Sequence, residues 1–138
     1  MKVIIDTNII IDYLADRMPF ADYAEKIIKL GQSGKISCFL TANSITDIYY
    51  IMRKIIGRDK TLECFKILFS IMDISDINKN DIFDAMKLDV KDFEDALLAV
   101  CANRIYADYI VTRDIDDFKN STIKAINPQI FLADFFDG

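Results

Sequence analysis

Short apolar runs alternate along the chain with longer segments whose apolar residues recur at helical spacing. The short runs predict buried strands at residues 2–5, 36–41 and 109–112, with weaker strands at 73–75 and 123–126. The longer segments predict helices at residues 8–15, 19–30, 43–56, 61–72, 79–88, 93–106 and 128 to about 136. Gly31 and Gly34 are predicted to end the second of these helices, and Gly57 the third. Strands and helices that alternate in this way predict an α/β fold, in which helices cover both faces of a mostly parallel sheet.

Size and composition favour one folded domain. The chain has 138 residues, and 52% of them are hydrophobic, which is enough for a sizeable core. No apolar run approaches the ~20 residues of a membrane span, and the N-terminus has the pattern of a strand rather than of a signal peptide. We therefore expect a single domain over residues 1–138, in a soluble cytoplasmic protein that does not contact a membrane.

The charge pattern narrows the possible chemistry. A formal net charge of −5 is not the basic footprint that is usual for nucleic-acid binding, although a local basic patch or bound divalent cations would offset it. The chain contains no histidine. This excludes an imidazole general base, an imidazole metal ligand and a His-dependent catalytic triad. Acid–base chemistry must therefore come from carboxylates, lysines, tyrosines, cysteines or water at a metal ion.

Four acidic residues lie at the ends of predicted elements. Asp6 follows the strand at 2–5, and Asp114 follows the strand at 109–112. Asp47 and Asp95 lie in the first turns of two predicted helices. Ligands of parallel α/β sheets bind outside the carboxyl ends of the strands, which makes Asp6 and Asp114 candidate site residues.

Each of these acids also has a purely structural explanation. Asp6 could cap the following helix, and Asp92 could cap the helix that contains Asp95, three residues on. Asp114 could cap a short turn, and Asp47 could favour a helix dipole by about 0.3–1 kcal/mol. On a helical wheel, Asp47 and Asp95 point away from the apolar stripes of their helices, as surface acids do.

The segments around these acids resemble a known family. VIIDTNIIIDYL, SITDIYYIMRK, DFEDALLAV and ADYIVTRDIDDF occur in the order and spacing of PIN-domain ribonucleases. Over essentially its whole length the chain is similar to prokaryotic PIN-domain proteins of the VapC toxin type. The resemblance implies a three-layer PIN-like fold and a metal-dependent endoribonuclease, the toxin of a toxin–antitoxin pair.

Carried over position by position, the resemblance implies a set of site residues. The implied catalytic acids are Asp6, Asp47, Asp95 and Asp114, and the implied ligands of Mg²⁺ or Mn²⁺ are Asp6, Asp95 and Asp114. Asp47 stands where the family usually has glutamate, which is one methylene longer. Asp117 also matches an acid common in this segment, so the fourth acid is Asp114 or Asp117. Asn8 and Thr112 match polar residues that support the site.

Elementary electrostatics agrees with a metal at such a site. Four converging carboxylates repel one another, and some would stay protonated without a cation. Mg²⁺ and Mn²⁺ prefer oxygen ligands and retain several waters, one of which can be activated for attack on a phosphodiester. We expect a 5′-phosphate product, because no imidazole pair is present for a route through the 2′-hydroxyl.

Binding partners are predicted less directly. Candidate RNA phosphate contacts are Arg53, Lys54 and Arg113, with Arg58 and Lys60 beside them, although a solvated basic face explains all but Arg113 equally well. The toxin resemblance implies an antitoxin protein. Apolar residues in the helices at 43–72 suggest a homodimer face, with core packing as the alternative.

Functions of other classes remain open. A catalytically weak or inactive PIN-like domain, acting as a binding module, would explain the Asp47 substitution and the acidic charge. A receiver-type signalling domain would need a paired acid at the first strand end, where Asp6 stands alone. A phosphohydrolase with an aspartyl nucleophile would need Asp-x-Asp, where this chain has Asn8 at the third position.

Overall fold

A computed structural model describes residues 1–136. The strands are β1 (Lys2–Ile5), β2 (Ser37–Thr41), β3 (Asp73–Ser75), β4 (Tyr109–Val111) and β5 (Ala125–Ile126). The helices are α1 (Thr7–Leu14), α2 (Phe20–Gln32), α3 (Ala42–Ile56), α4 (Arg58–Ile71), α5 (Lys79–Lys87), α6 (Phe93–Arg104) and α7 (Pro128–Phe135), with a 3₁₀ helix at Ile115–Phe118. Residues 137 and 138 of the predicted domain lie outside this described range.

The strands form one parallel sheet, as the alternating pattern predicts. Its order is β3-β2-β1-β4-β5, and each neighbouring pair is parallel. The chain runs outward from β1 through β2 to β3, and then returns to place β4 on the other side of β1. The strand order therefore reverses between β1 and β4. In open α/β sheets this is where ligands bind, outside the carboxyl ends of the strands.

Helices cover both faces of the sheet because side chains of a strand alternate in direction. In β1, Val3 and Ile5 join the core formed with α1, α2, α3, α4 and α7. Ile4 points to the opposite face and packs in the core that contains α6 and the 3₁₀ helix. All three side chains are fully buried. The fold is thus the predicted three-layer arrangement.

The junction of α3 and α4 differs from the prediction of a loop before residue 61. Gly57 ends α3, as predicted, but α4 begins at the next residue. Gly57 adopts a positive φ of 86°, a conformation that glycine enters without steric cost. The chain therefore reverses within one residue. The Thr61 hydroxyl then donates to the Gly57 carbonyl at 2.7 Å, which anchors the first turn of α4.

The end of α2 differs in part from the prediction that Gly31 and Gly34 stop the helix. Gly31 lies inside α2, which ends at Gln32, and Gly34 follows with a φ of 78°. A Cβ at position 31 would lie only 2.9 Å from the Cys38 sulfur of β2. The glycine is therefore explained by close packing of a helix against the sheet rather than by helix termination.

Within residues 1–136, no helix is both long enough and apolar enough to cross a membrane.

Candidate functional site

The candidate site lies at the carboxyl edge of the sheet, where β1 and β4 end side by side. The Asp6 backbone N–H donates to the Val111 carbonyl at 3.0 Å, which continues the pairing of the two strands by one residue. Asp6 and Thr112 consequently face each other just beyond the strands. Thr112 is fully buried, and Asp6 is 9% exposed.

Both carboxylate oxygens of Asp6 are occupied. Oδ1 accepts from the Thr7 backbone N–H at 2.8 Å, which makes Asp6 the N-cap of α1, as its structural explanation predicts. Oδ2 accepts from the Thr112 hydroxyl at 2.8 Å. The same hydroxyl oxygen accepts from the Asp114 backbone N–H at 3.0 Å. Thr112 therefore connects the first acid to the loop that carries the last one.

Asn8 joins Asp6 and Asp114 from a second direction. Its Nδ2 donates to Asp114 Oδ2 at 3.0 Å and approaches Asp6 Oδ2 at 3.4 Å. The other end of this amide, Oδ1, is buried and has no hydrogen-bond partner among the described residues. Buried polar atoms are normally paired, so an unpaired acceptor here points to a missing donor such as water or to a missing cation.

The start of α6 brings Asp95 to the same edge. Asp92 is the N-cap of α6, and its side chain accepts from the Asp95 backbone N–H at 3.2 Å, as the capping explanation predicts. An open cavity of about 340 Å³ lies beside this turn, lined by Lys91, Asp92, Asp95 and Asp117. The helical wheel indicates that Asp95 is a surface acid. In the structure its side chain is half-buried.

The acids interact electrostatically although they belong to different elements. Partial burial raises the pKa of Asp95 to about 7, and the charges of Asp6, Asp92, Asp117 and Asp114 act in the same direction. Burial also raises the pKa of Asp6, against the opposing effect of the hydrogen bonds from Thr112 and Thr7. The carboxylates therefore carry more negative charge than this pocket readily holds.

The start of α3 places Asp47 beside a residue that sequence reasoning missed. The Glu94 carboxyl lies within hydrogen-bonding reach of Asp47. Partial burial, followed by this contact, raises the pKa of Glu94. Glu94 directly precedes Asp95 in the printed sequence, but its approach to α3 depends on how α3 and α6 pack. The shorter acid at position 47 thus has a longer acid as its neighbour.

The structure places Arg113, a predicted phosphate contact, in a salt bridge within the protein. Its Nε and Nη2 donate to the two carboxylate oxygens of Asp12 at 2.7 and 3.1 Å. Asp12 is fully buried in α1, and the guanidinium also lies 4.0 Å from the centre of the Phe20 ring. This paired arginine fastens the loop after β4 to α1. The position of Asp12 within α1 gives no local pattern from which its partner could be inferred.

The other predicted phosphate contacts are exposed. Arg53 and Lys54 lie in the last turns of α3, and the Arg53 guanidinium is 5.2 Å from the centre of the Tyr50 ring. Arg58 pairs with Asp59 at the start of α4, where Lys60 is also exposed. Among the described residues, none of these four cations forms a salt bridge with a candidate acid.

The oxygen-only donor set fits a hard divalent cation. The raised pKa values and the unpaired Asn8 Oδ1 both indicate that positive charge or a donor would be favourable here. Asp95 and Asp117 line the cavity, whereas Asp6 and Asp114 lie outside its lining. Within the described range, no group of three or more His, Cys, Asp or Glu side chains is arranged to hold a metal ion as it stands.

Sequence comparison relates the chain to a known nuclease. It is 27% identical over 135 residues to "Ribonuclease VapC1" of Aquifex aeolicus (strain VF5), and the match covers 94% of this chain and 92% of that protein.

Several solved structures share the fold. The structure of VapBC2 from Rickettsia felis, bound to a DNA fragment from its promoter, matches with a TM-score of 0.73 at 18% identity, over 92% of this chain and 98% of that one. VapBC-1 from nontypeable Haemophilus influenzae matches with a TM-score of 0.69 at 16% identity, over 94% and 99% of the two chains. VapC20 from Mycobacterium tuberculosis, described as a Sarcin-Ricin loop cleaving toxin, matches with a TM-score of 0.62 at 10% identity, over 78% and 86%. At these identities the likeness establishes the fold.

A family model described as "PIN domain" matches residues 2–116, which span β1 to the 3₁₀ helix and include every candidate acid except Asp117. Together with the parallel sheet and the whole-length relative, this match shows that the chain belongs to the PIN domain family.

Proposed function

We propose that this protein is a metal-dependent endoribonuclease that hydrolyses phosphodiester bonds of RNA. The observation that carries the proposal is the position of the acids. Asp6 follows β1, Asp95 lies at the start of α6 and Asp114 lies in the loop after β4. All three are near the point where the strand order reverses. The relative named Ribonuclease VapC1 supports RNA as the substrate.

Asp6, Asp95 and Asp114 would hold the cation, Mg²⁺ or Mn²⁺. When bound, the cation supplies a nucleophile at neutral pH and neutralises charge on the phosphate. The remaining roles belong to the chain. Thr112 fixes the orientation of the Asp6 carboxylate. The Asn8 amide holds the carboxylates of Asp6 and Asp114 next to each other. Asp117 lines the cavity beside Asp95, and it supplies the fourth acid if Asp114 turns away.

Asp47 completes the catalytic acids from α3, with Glu94 as its neighbour. Partial burial, followed by the neighbouring Asp47 carboxylate, raises the pKa of Glu94. The pair supplies acidic oxygens on the α3 side of the site, where the family usually has a single glutamate. This arrangement offsets the missing methylene of Asp47.

The protein acts, in this proposal, as the toxin of a toxin–antitoxin pair. The structures named VapBC support an antitoxin protein as the partner. A homodimer stays a prediction. The apolar residues on which it was based include Tyr50, Ile51 and Ile55 of α3 and Ile67 of α4, which are all exposed in the single chain. The mass of the purified protein in solution would test it.

The proposal is tested by incubating a labelled single-stranded RNA with the protein in Mn²⁺, in Mg²⁺ and in EDTA. We expect cleavage only with a metal, and 5′-phosphate ends on the products. Asp6→Asn and Asp95→Asn should each lower the cleavage rate by at least about 100-fold, as loss of a charged group at a reacting centre commonly does. The matched control is Asp134→Asn, an exposed acid of α7.

Two results would contradict the proposal. Equal cleavage by Asp6→Asn and the wild type would indicate a contaminating nuclease. Folded wild-type protein that cleaves no RNA in either metal would favour the alternative, a PIN-like binding module. Replacement of Asp47 by glutamate would then show whether the shorter acid is the reason.

A further inference from the structure

The cavity beside Asp95 contains a cation that the proposed mechanism does not use. Of its four lining residues, three are carboxylates and one is Lys91. A phosphodiester that approaches these acids is repelled until some positive charge offsets them. Lys91 is the one lining residue of this cavity with a positive charge, and this charge is present whether or not a metal is bound.

Lys91 is available for this purpose. It is exposed, and it forms no salt bridge with another residue in the range 1–136. Arg113, the cation nearest to Asp114 in sequence, is instead held by Asp12. An unpaired ammonium group keeps its three donors for an incoming anion.

The segment that carries Lys91 is fixed on both sides. The Asn120 amide donates to the Asp89 carbonyl at 2.7 Å, which ties the segment to the loop after the 3₁₀ helix. Asp92 caps α6 on the other side. The backbone of Lys91 is thus held close to the acids, and the side chain retains the reach of its flexible stem.

The neighbouring residue favours a nucleic acid over an isolated phosphate ion. Phe93, two positions after Lys91, is 47% exposed at the first position of α6. Exposed aromatic rings provide a surface on which unpaired bases stack. Bases of a duplex are already stacked on one another, so this arrangement suits a single strand.

We propose that Lys91 is a substrate-positioning residue, which holds a phosphate of single-stranded RNA next to the bond that is cleaved. The proposal rests on the proposed ribonuclease function for the identity of the strand. Lysine binds phosphate as a point charge and does not require one rigid geometry. Lys91 therefore contributes to binding of RNA rather than to the chemical step.

The test compares the wild type with Lys91→Gln, Lys91→Arg and a matched control, Lys26→Gln, which removes an exposed lysine of α2. Cleavage of single-stranded RNA in Mn²⁺ yields kcat and KM. Fluorescence anisotropy with the same labelled RNA yields Kd at several salt concentrations. These binding measurements use Ca²⁺, which takes the same oxygen ligands as Mg²⁺ but in less strict geometry.

We expect Lys91→Gln to raise KM and Kd by about fivefold and to leave kcat within about twofold. The slope of log affinity against log salt should fall by about 0.7, the value for one phosphate contact on a single strand. Lys91→Arg should restore binding, since it keeps the charge. Lys26→Gln should match the wild type. Thermal unfolding of each variant checks that the fold is retained.

The outcomes separate the two proposals. If the wild type cleaves RNA and Lys91→Gln has the same KM, Kd and salt slope, the role of Lys91 is overturned and the ribonuclease stands. If RNA binds in a Lys91-dependent way without cleavage in any metal, the ribonuclease proposal fails, and the phosphate contact of Lys91 stands as part of an RNA-binding site. If the wild type neither binds nor cleaves RNA, both are wrong.

Discussion

At the scale of single residues, structural and functional explanations of the same acid are compatible. Asp6 caps α1 through one carboxylate oxygen and accepts from Thr112 through the other. The cap orients the carboxylate, and a fixed orientation is what a metal ligand requires. Asp92, in the same region, caps α6 in the same way but is not among the proposed metal ligands. The capping explanation for Asp6 is therefore confirmed, and its proposed role as a ligand is not weakened.

Thr112→Val tests whether the buried hydrogen bonds of Thr112 stabilise the protein. Valine has nearly the same shape as threonine but cannot donate to Asp6 or accept from the Asp114 N–H. We expect the free energy of unfolding to fall by about 1–3 kcal/mol, because buried groups lose their partners. Urea denaturation would measure the change. Thr112→Ser, which keeps the hydroxyl, is the control, and a valine variant as stable as the wild type would show that these hydrogen bonds contribute little.

At the scale of elements, the close packing of a helix against a strand explains residues that helix propensity alone does not predict. Gly31 is unfavourable inside a helix, where glycine costs about 1 kcal/mol relative to alanine. It occurs within α2 because the Cys38 sulfur of β2 occupies the space that a Cβ would take. Likewise, the 3₁₀ helix at Ile115–Phe118 turns Phe118 into the core that contains α6.

Gly31→Ala should therefore destabilise the protein, opposite to the usual effect in a helix. We expect a loss of about 1 kcal/mol, because backbone or side chain must shift to relieve the contact with Cys38. In a Cys38→Ala background the contact is gone, and the same substitution should become stabilising by up to about 1 kcal/mol. Thermal unfolding of the four proteins measures both effects. The same sign in both backgrounds would refute this explanation of the glycine.

At the scale of the whole molecule, folding brings together negative charges that are far apart in the chain. Asp6, Asp95 and Asp114 approach each other because β1 and β4 are adjacent and α6 precedes β4. Burial of Asp95, followed by repulsion from the other acids, raises its pKa to about 7, so holding these groups ionised opposes folding. A cation that binds only the folded arrangement reverses this penalty.

Divalent metal should consequently stabilise the protein. A ligand at about 100 times its Kd adds about 2.7 kcal/mol to the free energy of unfolding. We expect Mn²⁺ to raise the Tm of the wild type relative to EDTA, and to leave the Tm of the double variant Asp6→Asn/Asp95→Asn unchanged. Differential scanning calorimetry provides the comparison. An equal response of the two proteins would place the metal elsewhere.

The order of elements could be read from the chain because it depends on local patterns. Apolar runs of four or five residues, helical periodicity and Gly57 were sufficient for the strands, for most helices and for the α/β class. Asp6 and Asp114 also followed from their position after strands, and Asp47 and Asp95 from the resemblance to PIN domains. The start of α4 was misplaced, because a break of one residue at Gly57 leaves no loop to recognise.

What only the tertiary structure decided concerns pairs of residues that are remote in sequence. The pairing of Asp12 with Arg113, the contact of Glu94 with Asp47 and the position of Lys91 among three carboxylates all depend on how helices pack around the sheet. The sequence by itself determined the elements, the α/β class and the acidic character of one sheet edge, because periodicity and strand ends are local. It did not determine which charges meet, because Coulomb interactions and hydrogen bonds depend on distances that exist only after folding.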